Sequence, residues 1–371
     1  MDAYRYFFPA GFFFGIWGVL VWILFPWGLI SYPGIRHPDI MMGAFFLCFV
    51  CGFLMTAAPK FLSTFGPSAF EQKISWSLIA LLFFTLLLPE RWYFLAAVNL
   101  LFFNLAIFLV RRFFKRKSNP PDSFLLVGFG LLSGMIGCGI LTYAEFSSVS
   151  ASSYQLGRLF FLQAYILYLV LGVGSRLIPA LLGYGSLPRK NGEPSQIALY
   201  AFLSFLFFLS FILETYFSAR GGNLLRALVI SFLCFKFWKL YKMPLRKGFQ
   251  PFWLWSSGWL LVLGQWGIVL FPRYRIHLLH IILVSGLALM TLMIAVRVSL
   301  SHGKHDLSLE KNSRSLWIAA FLLAFAGMTR FSAGVLPDLY QSHLTYAAYT
   351  WVIGAILWGW VYIPKMIFIK K

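Results

Sequence analysis

The chain has 371 residues, of which 60% are hydrophobic, 20% aromatic and 11% charged. That composition excludes disorder and a nucleic-acid-binding globule, and it argues against an ordinary soluble enzyme. Thirty-one Lys and Arg face 11 Asp and Glu, a formal net charge of +20 at a mean hydropathy of +0.79, and they cluster between apolar runs long enough to cross a bilayer.

In chain order the predicted spans cover 8–31, 39–59, 74–90, 91–114, 122–145, 155–182, 196–217, 221–242, 249–270, 275–300, 314–330 and 343–367. They describe an all-α, polytopic membrane protein of about twelve transmembrane helices, each near the roughly 20 residues that cross the hydrocarbon. A lipid-facing barrel would alternate polar and apolar residues, which these runs do not. No cleavable signal with a small-residue site precedes the first span, so that helix is expected to be retained.

Orientation follows from Lys and Arg. With both termini and the even-numbered loops on one side, that side holds 23 of them and the opposite side eight. The termini are therefore expected to be cytoplasmic. The +20 charge reads as a topological signal and needs no nucleic acid. The densest basic stretches, Arg111–Lys117, Lys236–Lys247 and Lys365–Lys371, follow spans 4, 8 and 12 and recur about every 125 residues. Three four-helix modules, 1–117, 118–247 and 248–371, would give that spacing. So would long cytoplasmic loops that happen to fall there.

Groups able to do chemistry are few. His37 opens span 2, His277 and His280 open span 10, and His343 opens span 12, all toward the outer face. Imidazole is the usual ligand of haem iron and copper, and polar groups in membrane helices turn inward more often than toward lipid. His277 and His280 are three residues apart and share a helix face. Solvated histidines near helix ends would be the bland alternative. Cys48 and Cys51 form C-x-x-C in the middle of span 2, where small interfacial residues are the better reading than a redox pair. Asp39 can orient an imidazole or cap span 2, the cap being favoured. Glu145 and Glu214 lie near outer helix ends, so no mid-membrane acid suits a proton-coupled transporter. The glycines from Gly128 to Gly139 look like close helix packing rather than a phosphate loop.

Two segments resemble the NnrS family of bacterial membrane proteins. The first runs from His37-Pro-Asp39 through Gly43 to Gly52-Phe-Leu-Met-Thr-Ala-Ala-Pro59, similar to that family's H-x-H-E-M…G-F…G-F-L-L-T-A-x-P. The second runs from His280 through Gly286 and Met290 to Arg297-Val-Ser-Leu-Ser-His302-Gly303, similar to H-A-L-T-V-G…M…A-R-V-S-L-G-H-T-G. It is the more specific, because His280, Arg297 and His302 all keep register. Weaker matches fall at Ser175-Arg176-Leu-Ile-Pro179, Arg330…Pro337 and Tyr362-Ile-Pro364. The first segment departs from the pattern. Aligned on Gly43 without gaps, the family's two histidines fall on Arg36 and Pro38, with His37 between them, so a site built from both cannot exist here.

The resemblance implies a twelve-helix inner-membrane protein associated with haem and copper and with the response to nitric oxide. A looser likeness is to haem-copper oxidase subunits, which also have three groups of four helices and hold a low-spin haem between histidines of helices 2 and 10. His37 and His280 occupy those helices, but spans 6 and 7 contain no histidine, so the copper half of an oxidase centre is missing. The expected cofactors are haem first and copper second. His37 and His280 are the expected ligands, with His277 as alternative partner and His343 as a further metal ligand. Arg176 and Arg297 are candidates for a cofactor's anionic group, although snorkelling to the interface is simpler. The expected partners are the bilayer and a respiratory or electron-transfer protein. A secondary transporter and a non-catalytic assembly component of a respiratory enzyme stand as alternatives.

Overall fold

The computed structural model describes residues 1–185 and 192–368. Four of the basic residues counted above, Arg189, Lys190, Lys370 and Lys371, lie outside the described residues. The long helices are α1 (Tyr4–Trp27), α2 (Arg36–Phe61), α3 (Ala69–Leu86), α4 (Arg91–Phe114), α5 (Phe124–Tyr143), α6 (Ala151–Leu182), α7 (Pro194–Tyr216), α8 (Ala219–Lys236), α9 (Phe249–Leu270), α10 (Pro272–His302), α11 (Arg314–Val335) and α12 (Pro337–Ile367). Eleven of these described helices are long and apolar enough to cross a membrane. The exception is α8, 18 residues long, which carries Arg220, Arg226 and Lys236. Arg226 is fully buried there, 3.4 Å from Asn223 Oδ1, while Gln265 Nε2 of α9 donates to the same Asn223 oxygen at 3.2 Å. This helix meets its neighbour through polar groups, which is why its hydropathy is low.

The chain divides into two compact units. The first comprises residues 1–11, 38–173 and 188–222, the second residues 12–37, 174–187 and 223–371. A modular repeat is a matter of internal symmetry, which this division does not address.

In the first unit, α3 starts five residues before the expected run because Ser68 and Glu71 close a capping box. The same Glu71 receives both terminal nitrogens of Arg112, whose guanidinium is fully buried and lies 3.7 Å from the Phe108 ring and 4.7 Å from Phe65. Arg112 is therefore an internal ion pair flanked by aromatic faces, not one more solvated charge of the basic stretch after α4.

Three long helices contain a π-helical segment: Met41–Phe46 in α2, Phe160–Ala164 in α6 and Ile281–Ala288 in α10. They fall in every fourth long helix. A π turn shifts the backbone ladder by one residue and leaves carbonyls in need of other donors. In the first unit the Tyr165 hydroxyl donates to the Met42 carbonyl. In the second, Ser285 inside the α10 segment donates to the Ala324 carbonyl of α11 at 2.8 Å, at a spot where a Cβ on Gly327 would collide with the hydroxyl.

The glycine run of α5 packs as expected. A Cβ on Gly137 would sit 2.5 Å from the Phe161 nitrogen and 2.8 Å from the Gly157 oxygen, both backbone atoms of α6. Gly128 and Gly139 face open space. Gly137→Ala should accordingly destabilise the protein by about 2 kcal/mol, read as a lower melting temperature in detergent. Gly139→Ala is the control and should leave it unchanged.

Candidate functional site

The second unit gathers three histidines and an arginine. After Leu270 the chain enters α10 through a tight turn at Pro272–Tyr274, which places His277 and His280 in the helix's opening turns. His37 belongs to the same unit, at the start of α2. His37, His277 and Arg330 all lie within electrostatic reach of His280, and Arg330 within reach of His37.

Hydrogen bonds separate the roles of the three rings. His37 Nδ1 lies 2.6 Å from the Gly18 carbonyl of α1, and His280 Nδ1 lies 2.7 Å from the Ile276 carbonyl of its own helix. A carbonyl can only accept, so in both rings Nδ1 carries the proton and Nε2 keeps a free lone pair. That is how metal-ligating imidazoles are commonly held: one nitrogen fixed by the backbone, the other available. His37 is further oriented by Trp22, whose ring meets it edge to face at 5.9 Å, and Trp22 in turn packs against Tyr32 at 5.7 Å.

His277 is different. Arg330 Nη1 lies 2.6 Å from its Nδ1. Guanidinium has no acceptor, so this Nδ1 must accept and the ring proton sits on Nε2. The Arg330 carbonyl, 3.4 Å from the same nitrogen, is the weaker contact. The ring approaches α11 so closely that a Cβ on Gly334 would overlap it, and Tyr340 meets its other side edge to face at 6.2 Å. With its one lone pair taken, His277 is not free to bind a metal.

The remaining candidates lie apart. His343 Nδ1 is buried with no hydrogen-bond partner, and its ring packs on Tyr346 at 6.3 Å. Arg297 is ion-paired with Glu310 at 2.5 Å, so its guanidinium is already engaged. Arg176 lies half-buried in the second half of α6. Asp39 is buried in the first unit and gives both oxygens to Arg91, at 2.7 and 2.9 Å. Arg91 also reaches Glu145 at 3.1 Å. All four cysteines are buried and unbridged. Among the described residues no three His, Cys, Asp or Glu side chains are grouped so that they could hold a metal ion. The residue that the sequence reading underused is Arg330. Its signal was a basic residue at the outer end of span 11 without an acid nearby in sequence.

Asp39→Ala should leave Arg91 with two weaker partners, Glu145 and Tyr154, and lower stability by about 3 kcal/mol. A melting curve checks this, and Asp39→Glu should recover part of the loss.

The family model described as NnrS protein matches residues 1–368. No curated protein and no solved structure matches the chain. The chain belongs to the NnrS family.

Proposed function

We propose that this member of the NnrS family binds haem between His37 and His280 and serves in the response to nitric oxide. The observation that carries the reading is the pair of imidazoles, each with Nδ1 fixed on a backbone carbonyl and Nε2 free, within electrostatic reach of one another. A copper ion held by protein side chains alone would ask for three or four ligands, and no group of three His, Cys, Asp or Glu occurs among the described residues. A haem brings four nitrogens of its own and asks the protein for two, so it fits this donor set better than copper does. Bound there, it would supply a one-electron redox centre.

The chain's own residues would do the positioning. The Gly18 and Ile276 carbonyls hold the two rings in the ligating tautomer, and Trp22 restrains the rotation of His37. The Arg297–Glu310 pair engages one of the two arginines considered for an anionic group. The role in the nitric oxide response comes from family membership together with this site. The proposed location is the bacterial inner membrane with both termini cytoplasmic, which rests on the 23-to-8 distribution of Lys and Arg.

Two experiments test these readings. Haem added to the purified protein should give a Soret band with low-spin features, lost in His37→Ala and in His280→Ala. It should survive in His277→Ala and His343→Ala, and loss in His277→Ala alone would reverse the ligand assignment. Reporter fusions at Lys117 and Lys247 should read cytoplasmic and one at Ser150 external. An external signal at either basic loop would invert the topology.

A further inference from the structure

Four arginines of the described helices can be compared by what they meet. Arg91 meets Asp39 and Glu145, Arg112 meets Glu71, and Arg297 meets Glu310. Arg330, half-buried in α11, meets no carboxylate among the described residues. Its neighbours are His277 at 2.6 Å and the ring of Tyr340, whose centroid lies 5.9 Å from the guanidinium carbon. Tyr32 also lies within its electrostatic reach.

A cation held in a membrane helix without a counter-charge is costly unless an anion joins it or water reaches it. The groups around this one are donors. Arg330 offers a planar fork of N–H groups, and Tyr340 offers a hydroxyl. His277 offers Nε2–H, because its Nδ1 is occupied by Arg330. A site made of donors and one fixed positive charge selects a planar oxyanion, which can take two parallel N–H bonds from guanidinium.

We infer that Arg330, His277 and Tyr340 form an oxyanion subsite beside the His37–His280 pair, and that its occupant is a carboxylate of the bound haem. Identifying the occupant as a haem propionate rests on the proposed function; the anion subsite itself does not. His277 is a positioning residue here: it holds the guanidinium and presents its own N–H. The same chemistry would accept a small free oxyanion such as nitrite, and the test separates the two sources.

The full-length protein in detergent is titrated with haem and with haem dimethyl ester, whose propionates are blocked, and binding is followed at the Soret band. The wild type should bind haem about tenfold more tightly than the ester. Arg330→Gln should abolish that preference by weakening haem and leaving the ester unchanged, and Arg330→Lys should restore part of it. Gly334→Ala keeps the charge but pushes His277 away, so it should reduce the preference without removing it. It also serves as the second probe should Arg330→Gln fail to fold. A full preference in both variants overturns the subsite. Calorimetric titration of the haem-free protein with nitrite is the second arm. Nitrite binding lost in Arg330→Gln, with equal affinity of the wild type for haem and ester, would assign the site to a free oxyanion and overturn the propionate. Absence of a Soret band in the wild type with either haem would overturn the bis-histidine reading. The nitrite arm would then decide the subsite alone: binding that depends on Arg330 supports it, and no binding overturns it.

Discussion

Taking a guanidinium out of water leaves a charge and five N–H groups to be satisfied by whatever the protein supplies, and in hydrocarbon nothing else is at hand. Much of this protein's internal organisation follows from that. Arg112 draws the start of α3 to the end of α4, because both its terminal nitrogens bind Glu71 while Phe65 and Phe108 cover its flat faces. Arg91 draws together Asp39 of α2, Glu145 after α5 and Tyr154 of α6. Each pair ties one helix end to another, so scarce charges act as staples where a uniformly apolar surface would leave register undetermined. Arg330 obeys the same rule with a different partner set, and this sets the histidine cluster apart from the structural ion pairs.

The backbone imposes a related constraint. Wherever a helix departs from the α ladder, the freed carbonyl must find a donor inside the protein. The π segment of α2 does so through the Tyr165 hydroxyl, which donates to the Met42 carbonyl. Both histidines proposed as ligands lie just ahead of such a segment: His280 directly precedes Ile281, and His37 lies four residues before Met41. π bulges are frequent at functional sites because they re-aim the residues on either side. The arrangement here has that form.

Much of the fold could be read from the sequence, for a physical reason. Spanning a bilayer needs about 20 apolar residues, and such a run is visible without any knowledge of partners. Where the reading was coarse, a polar detail had intervened. The start of α3 was set by the Ser68–Glu71 box and not by hydropathy, and α8 carries Arg226 inside the protein, where apolarity alone would not place it. The candidate site was legible as residue types but not as roles. His37, His277 and His280 look alike in sequence. What distinguishes them is which atom faces each Nδ1: the Gly18 carbonyl, the Arg330 guanidinium or the Ile276 carbonyl. Two of those partners come from other helices, 19 and 53 residues away in the chain. Arg297 and Arg330 were separated in the same way, one by an acid 13 residues further on and the other by an imidazole 53 residues away.

The displaced histidine motif can now be weighed on physical grounds. In an α-helix one residue of register turns a side chain by about 100°, so a histidine moved by a single position would ordinarily face a different neighbour. Two features loosen that expectation at His37. It stands at the very start of α2, where Pro38 follows and the chain has only just begun its helical path. Between it and the Gly52–Pro59 stretch lies the Met41–Phe46 π segment, in which the i→i+5 pattern takes up one extra residue per turn. A gapless alignment on Gly43 is therefore anchored inside the segment that breaks the register. Which way His37 faces is settled instead by its tertiary contacts, the Gly18 carbonyl and the Trp22 ring, both from α1. A single imidazole aimed by a neighbouring helix is enough for a cofactor that supplies most of its own ligands. It would not be enough for a metal ion that must draw all of its ligands from the protein.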